Sequence, residues 1–230
     1  ANFGPIGTGA NTSFDVTLTG TSAGALTGQV VHIENNFDNV LDQDLTISGA
    51  VYRFADPEAT PDPIVLGNFH EGDVAEQALT VSNTAANDGF SESLNAAFGA
   101  NTGDATNNGG SINLLGAGGN DSTSMVAGVN TATAGAKNGT VDLTFVSDGA
   151  GTSELGQTNL TGQTINVSAN VFRFAASNAT PDPIVLGNFH EGDVAEQALT
   201  VSNTAANDGF SESLNAAFGA NTGDATNNGG

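Results

Sequence analysis

The sequence has no cysteine, no tryptophan and a single tyrosine among its 230 residues. Without cysteine, the chain can form no disulfide and offers no thiol for catalysis or metal binding. Only three residues are lysine or arginine, against 25 acidic residues, which gives a formal net charge of −22. Nucleic-acid binding needs basic residues to neutralise phosphates, so this balance argues strongly against it. The same charge disfavours contact with an anionic membrane surface.

Long apolar runs are also missing. No stretch approaches the roughly 18 consecutive apolar residues of a membrane-spanning helix. The first residues, ANFGPIGTGA, do not resemble a signal peptide. The sequence therefore predicts no membrane insertion in this segment and gives no indication of an export route.

Apolar and polar residues alternate with a period of two along many segments. In TVDLTFV, for example, Val141, Leu143 and Phe145 fall on one face of the chain. Turn-forming clusters such as AANDG and GAKNG lie between these segments. No segment carries a sustained apolar stripe with the helical period. The pattern predicts half-buried antiparallel strands and almost no helix.

A long repeat organises the chain. Residues 59–110 are identical to residues 179–230, at an offset of 120 positions. A period of this length corresponds to a whole small domain rather than to a solenoid unit. Each period contains about seven short strands separated by turns, so the sequence predicts tandem immunoglobulin-like antiparallel β-sandwiches.

The repeat divides the chain into a tail, a whole domain and a head. We expect residues 62–175 to form one complete immunoglobulin-like repeat. Residues 1–55 match its C-terminal half, because QDLTISGAVYRFA parallels QTINVSANVFRFA. Residues 182–230 match its N-terminal half. Two proline-containing linkers, 56–61 and 176–181, are expected to connect the three parts as extended segments.

Each terminal part is expected to be an incomplete sandwich with an uncovered face and unpaired strand edges, which is energetically costly. A head-to-tail arrangement along a fibre, with Gly230 next to Ala1 of the next copy, would complete a domain at every joint. Either a longer polypeptide continues through the joint, or separate pilus-like subunits complete one another by strand donation. Continuation needs no additional assembly chemistry and is the preferred interpretation.

The segment LGNFHEGDVAEQALTVSNTA, residues 66–85, resembles the opening of the immunoglobulin-like domains called choice-of-anchor D, or Hydin-type, in large bacterial surface proteins. Residues 114–149 resemble the later half of those domains. The resemblance implies an extracellular or scaffold role, secreted or at the cell surface, and it supplies no catalytic residues. The matching positions of the first segment are Leu66, Gly67, Phe69, Gly72, Asp73, Gln77, Leu79, Val81, Asn83 and Thr84.

Together these features predict a structural repeat unit of a long extracellular fibre or cell-surface stalk, such as a matrix, filament or biofilm scaffold. Mutually repelling acidic surfaces would keep such a fibre extended and soluble. An adhesin domain that binds a host protein or a glycan is the alternative, although Tyr52 is the only tyrosine available for stacking on a sugar. No enzymatic activity is expected, because the sequence displays no convergent set of catalytic groups.

Clustered carboxylates form the candidate cation site. The segment DNVLDQDL brings Asp38, Asp42 and Asp44 close together, and calcium sites use carboxylates together with loop carbonyls. The alternative is an acidic surface exposed to solvent, because the segment lacks the pattern of an EF-hand loop. Calcium is the one cofactor that the sequence suggests, and it could also join fibres laterally.

Arg53 and Arg173 occupy equivalent positions, 120 residues apart. In one interpretation, each forms an inter-domain ion pair with an acidic residue of the adjacent domain. In the other, each is a solvent-facing strand residue whose aliphatic stem covers apolar surface. The sequence leaves both interpretations open.

Overall fold

The computed structural model describes residues 4–35 and 40–227. These residues form β-strands, turns and irregular segments, and no helix occurs among them. The predicted all-β fold class is therefore confirmed. Within the same residues there is no helix long and apolar enough to cross a membrane.

The strands fall into three groups along the chain. A tail hairpin consists of β1 (Gly24–Ile33) and β2 (Gln43–Val51). A head segment, residues 173–227, contains β15 (Ser177–Thr180) and β16 (Thr200–Asn203). The central unit between them contains β3 (Pro57–Thr60), β4 (Ile64–His70), β5 (Glu76–Ala78), β6 (Thr80–Asn83), β7 (Ser93–Gly103), β8 (Ala105–Asn107), β9 (Ser111–Leu115), β10 (Asn120–Asp121), β11 (Val126–Val129), β12 (Gly135–Asp148), β13 (Gln157–Asn159) and β14 (Gln163–Phe172).

The central unit is a β-sandwich around one hydrophobic core. Its largest sheet has six strands, with β4, β14, β12, β7 and β9 side by side in this order and β13 paired to β12. Two three-stranded sheets, β10-β6-β3 and β5-β11-β8, supply the remaining strands. Side chains from all three sheets meet in the core; its fully buried members include Ile64, Leu79, Val81, Leu94, Met125, Ala127, Val141, Ile165 and Val167.

One strand pair departs from the predicted antiparallel arrangement. β4 pairs with β14 in parallel, with Ile64 opposite Val167 and Phe69 opposite Val171. β4 lies near the beginning of the central unit and β14 at its end, so this pair joins the two ends of the unit within one sheet. Ile64, Leu66 and Phe69 of β4 then pack in the same core as Ile165 and Val167 of β14.

Strands also occupy most of the predicted linkers, 56–61 and 176–181. β3 pairs with β6, with Ala59 opposite Val81, and Ala59 is 1% exposed. β15 pairs with β16 in the equivalent register. Proline favours extended backbone, and an extended segment beside an unpaired strand edge gains hydrogen bonds by joining it. The linkers are therefore parts of the sheets rather than free connectors.

The tail hairpin repeats the pairing of β12 with β14. Ile33 lies opposite Gln43 in the hairpin, as Leu143 lies opposite Gln163 in the central unit. A bulge interrupts β1 in the register of the hairpin but has no counterpart in the pairing of β12 with β14. Apart from this bulge, the tail hairpin thus has the backbone pairing of β12 with β14.

The repeated sequence does not form the same strands in its two copies. In the central unit it contributes to every strand from β3 to β8, whereas the described part of the head segment forms only β15 and β16. The strands that are missing from the head segment depend on partners from residues 111–175. β4 pairs with β14, β5 and β8 pair with β11, and β7 pairs with β12 and β9. The pair of β3 with β6 needs no such partner, and its equivalent is retained.

Candidate functional site: the junctions between units

Two short junction segments, residues 52–56 and 172–176, lead from one unit into the next. At the first, the amide of Arg53 donates to the carbonyl of Phe90 at 2.9 Å, and the amide of Glu92 donates to the carbonyl of Arg53 at 3.0 Å. The same two bonds recur 120 residues later, at 2.9 and 3.1 Å. Each junction segment is therefore hydrogen-bonded to the unit that follows it.

Each junction arginine forms an ion pair with an acidic residue of the following unit. Nη1 of Arg53 lies 2.7 Å from Oδ1 and 2.8 Å from Oδ2 of Asp88. Nη1 of Arg173 lies 2.7 Å from Oδ2 of Asp208. The hydrogen bond from Arg53, supported by the amide of Phe90, holds the pKa of Asp88 below its usual value. The equivalent donors lower the pKa of Asp208.

The two interpretations of Arg53 and Arg173 differ in whether each arginine contacts an acidic residue of the adjacent domain. Under the domain boundaries expected from the sequence, Asp88 belongs to the domain that follows Arg53, and Asp208 belongs to the domain that follows Arg173. Both arginine side chains are partly buried, at 34% and 25% exposure. Each also donates to a serine hydroxyl of the following unit, which fixes the guanidinium in place.

Aromatic rings meet beside the arginines. Tyr52 and Phe90 have ring centroids 5.6 Å apart and planes inclined at 48°. Phe172 and Phe210 repeat this contact at 5.6 Å and 45°. Tilted aromatic pairs of this kind combine apolar burial with favourable quadrupole orientation. Each junction therefore has an apolar contact as well as an ion pair.

A buried asparagine connects the first junction to the interior of the central unit. Asn83 is fully buried, and its Nδ2 donates to the carbonyls of Glu92 and Leu115, at 3.1 Å in each case. Its Oδ1 accepts from the amides of Asp56 and Ala85. Buried polar groups are tolerated when they are hydrogen-bonded, and Asn83 uses both ends of its amide.

The second junction has an additional contact from His70. Its Nε2 lies 2.7 Å from Oε1 of Glu212. Its ring stacks on Phe174, with centroids 4.2 Å apart and planes inclined at 19°. The hydrogen bond with Glu212, followed by the charges of Glu212 and Asp73, raises the pKa of His70. These groups border a cleft of about 440 Å³, lined by Asn68, Phe69, His70, Asp73, Phe172, Ser211 and Glu212.

Equivalent glutamates at the two junctions have different partners. Glu92 is buried, and its carboxylate accepts hydrogen bonds from the hydroxyls of Ser147 and Ser153. Glu212, at the same position of the repeat, pairs with His70 of the preceding unit. Both serines belong to residues 111–175, which lie outside the repeated sequence.

Ser211, which also lines the cleft, makes its hydrogen bonds within the junction. The hydroxyl of Ser211 donates to the carbonyl of Ala206 at 2.6 Å and accepts from Nη1 of Arg173 at 3.0 Å. Both hydrogen bonds of this hydroxyl are therefore made within the junction, and neither is made with His70. The arrangement holds one unit against the next, with an imidazole and a carboxylate as the contact pair.

Two of the three predicted calcium ligands, Asp42 and Asp44, lie beside His32 of the tail hairpin. Asp44 is hydrogen-bonded to Nδ1 of His32, and Oδ2 of Asp42 lies 3.8 Å from Nε2 of the same ring. Asp38 lies outside the described residues. Within the described part of the chain, no three histidine or acidic side chains are arranged to hold a metal ion. Calcium binding by Asp38, Asp42 and Asp44 stays a prediction.

Comparison with protein-family models finds no match to this chain, and comparison with curated proteins also finds none. The resemblance to choice-of-anchor D domains therefore rests on the sequence motifs alone.

Several junction residues were not singled out from the sequence. Asp88 and Asp208 each lie 35 residues after their arginine, and this constant spacing is a signal that the sequence contains. Because the chain has only three lysine or arginine residues, few basic side chains could pair with Asp88 or Asp208. His70 and Glu212 lie 142 residues apart, and no local pattern indicates that they meet.

Proposed function

We propose that this chain is a structural repeat segment of a long extracellular fibre or cell-surface stalk and that it has no catalytic activity. The observation that carries the proposal is the recurrence of the same set of contacts at both junctions. The backbone bonds, the arginine–aspartate pair and the tilted aromatic pair occur twice, 120 residues apart. A contact that is repeated unit after unit is what a fibre needs in order to keep one geometry along its length.

The composition supports the same role. A charge of −22 on 230 residues keeps neighbouring fibres apart at low ionic strength and favours an extended, soluble form. The junctions also suit a load-bearing function, because each combines backbone hydrogen bonds, an ion pair and an aromatic contact. A pull along the chain would have to break all of them together.

The location can be tested with antibodies raised against the central unit. Applied to intact source cells and detected by electron microscopy with gold particles, they should label extended extracellular structures at regular intervals. Label that appears only after the cells are permeabilised would contradict the proposal. Binding of the purified chain to a glycan or host-protein array would instead support an adhesin.

A further inference from the structure

We propose that the head segment of one chain and the tail hairpin of a second copy of this chain dock onto each other and form a complete β-sandwich. The inference deepens the proposed function by naming the partner, and it rests on that function for its biological setting. The central unit serves as the template, because it contains the same two halves joined within one chain.

The head segment exposes residues that form the core elsewhere in the same molecule. Six of its apolar side chains are between 37% and 59% exposed: Ile184, Leu186, Phe189, Leu199, Val201 and Phe218. Their equivalents in the central unit are in the core or packed against it: Ile64, Leu66, Phe69, Leu79, Val81 and Phe98. Because the two sequences are identical, the difference comes from what covers them.

The tail hairpin shows the complementary exposure. Leu45 is 44% exposed, whereas Ile165, at the equivalent position of β14, is fully buried. In the central unit, β14 is flanked by β4 and β12 is flanked by β7. Among the described residues, the tail hairpin is a sheet of two strands with neither of these neighbours. It therefore presents an apolar face and two unpaired strand edges.

The central unit fixes the register of the proposed contact. Ile64 lies opposite Val167 in the parallel pair, so Ile184 is expected opposite Ile47 of the second copy. Thr102 lies opposite Thr140 in the antiparallel pair of β7 with β12. The corresponding residues at the joint are Thr222 of one copy and Val30 of the next.

A second copy fits this surface better than an unrelated partner does. The occupant has to supply a parallel strand edge, an antiparallel strand edge and an apolar face in one fixed register. The tail hairpin already has the register of β12 with β14. Every copy therefore carries both the surface and its complement, and successive copies can add without limit in a heterologous arrangement.

Disulfide trapping in the full chain tests the register directly, because the natural sequence has no cysteine. The test variant carries Val30→Cys together with Thr222→Cys. The matched control carries Thr102→Cys together with Thr140→Cys, whose hydroxyls lie 2.7 Å apart within the central unit. After mild oxidation, the test variant should give a ladder of covalent dimers, trimers and larger species. The control should give an intrachain crosslink and a single monomer band.

The single-cysteine variants Val30→Cys and Thr222→Cys are a second control. Each has only one thiol, so it can form covalent dimers at most. Sedimentation of the unmodified chain should show mass increasing with concentration in steps of 22.8 kDa. Val201→Asp should abolish this increase while leaving the circular dichroism of the central unit intact. A monomer at every concentration, or an intrachain crosslink between positions 30 and 222, would overturn the proposal.

These outcomes are separate from those of the labelling experiment. A chain that does not self-associate but labels extracellular fibres would overturn the docking and leave the structural role in place. A chain that associates in the proposed register but is found only inside cells would support the docking and overturn the extracellular role.

Discussion

Leu79 and Leu199 stand at the same position of a 52-residue sequence that occurs twice without change, yet Leu79 is fully buried and Leu199 is 37% exposed. Local sequence cannot cause this difference. It arises because Leu79 packs in the core with strands from residues 111–175, whereas among the described residues no equivalent strands pair with the head segment. Substitutions at Leu79 and Leu199 therefore compare, within one chain, the stability of a complete unit with that of an incomplete one.

Truncation of the two leucines is therefore expected to have unequal effects. Leu79→Ala removes a fully buried side chain and leaves a cavity, so it should destabilise the central unit by about 2–5 kcal/mol. Leu199→Ala should cost less than about 1 kcal/mol in dilute solution, as surface substitutions generally do. Urea denaturation followed by circular dichroism measures both. Equal losses in dilute solution would contradict the described burial.

The ion pair of Arg53 with Asp88 should contribute only where Asp88 is ionised. The pKa of Asp88 is lowered from 3.8 in the folded chain, so its contribution is present above 3.8 and is lost as the pH falls through the lowered value. Arg53→Gln should lower the melting temperature modestly at neutral pH, and less than Leu79→Ala does. The difference from the unmodified chain should shrink in high salt and vanish in strong acid.

The contact of His70 with Glu212 has the opposite pH dependence. The pKa of His70 is raised above 6.5, so the contact stabilises the junction fully below pH 6.5 and is lost as the pH rises through the raised value. An NMR titration of the His70 ring should show this raised pKa. Glu212→Gln should move it back towards 6.5, because the charged partner is removed. A titration that the substitution leaves unchanged would show that Glu212 is not the cause.

Asn83 provides a second matched pair with its equivalent in the head segment, Asn203. Asn83→Ala removes both ends of a fully buried amide and leaves backbone groups without partners, so it should cost about 1–3 kcal/mol or more. Asn203 makes equivalent hydrogen bonds to Ala176 and Glu212 in a solvent-exposed setting, where water can replace them. Asn203→Ala should therefore have a clearly smaller effect in the same denaturation assay.

The sequence was sufficient to predict the elements that depend on local alternation. β14 shows the period of two along its length and forms where the pattern predicts it. β12 also forms at the predicted alternation, but it begins at Gly135, so the prediction of a turn at GAKNG is wrong. These residues continue the strand because they pair with β14, from Gly135 opposite Val171 to Gly139 opposite Val167. The match between the tail and the second half of the central unit also followed from sequence, because QDLTISGAVYRFA and QTINVSANVFRFA align without a gap.

Other features depend on contacts between distant residues and left no local signal. The sequence predicts a linker where β3 forms, because Pro57 and Glu58 outweigh one small apolar residue, Ala59. That alanine enters the core only when β6 is beside it. The parallel pair of β4 with β14 and the contact of His70 with Glu212 join residues roughly a hundred or more positions apart. Which strands residues 179–227 form depends on the segments that pack against them rather than on their own sequence.

Tryptophan fluorescence offers the most direct measurement of whether a second copy covers the head segment. The natural chain has no tryptophan, so Phe218→Trp introduces a single reporter at a position that is 55% exposed. Phe98→Trp, the same substitution in the central unit, is the matched control. The account predicts that emission from position 218 shifts to shorter wavelength as the protein concentration rises and returns on dilution, while emission from position 98 stays constant. Emission from position 218 that remains typical of a solvent-exposed tryptophan at every concentration would contradict it.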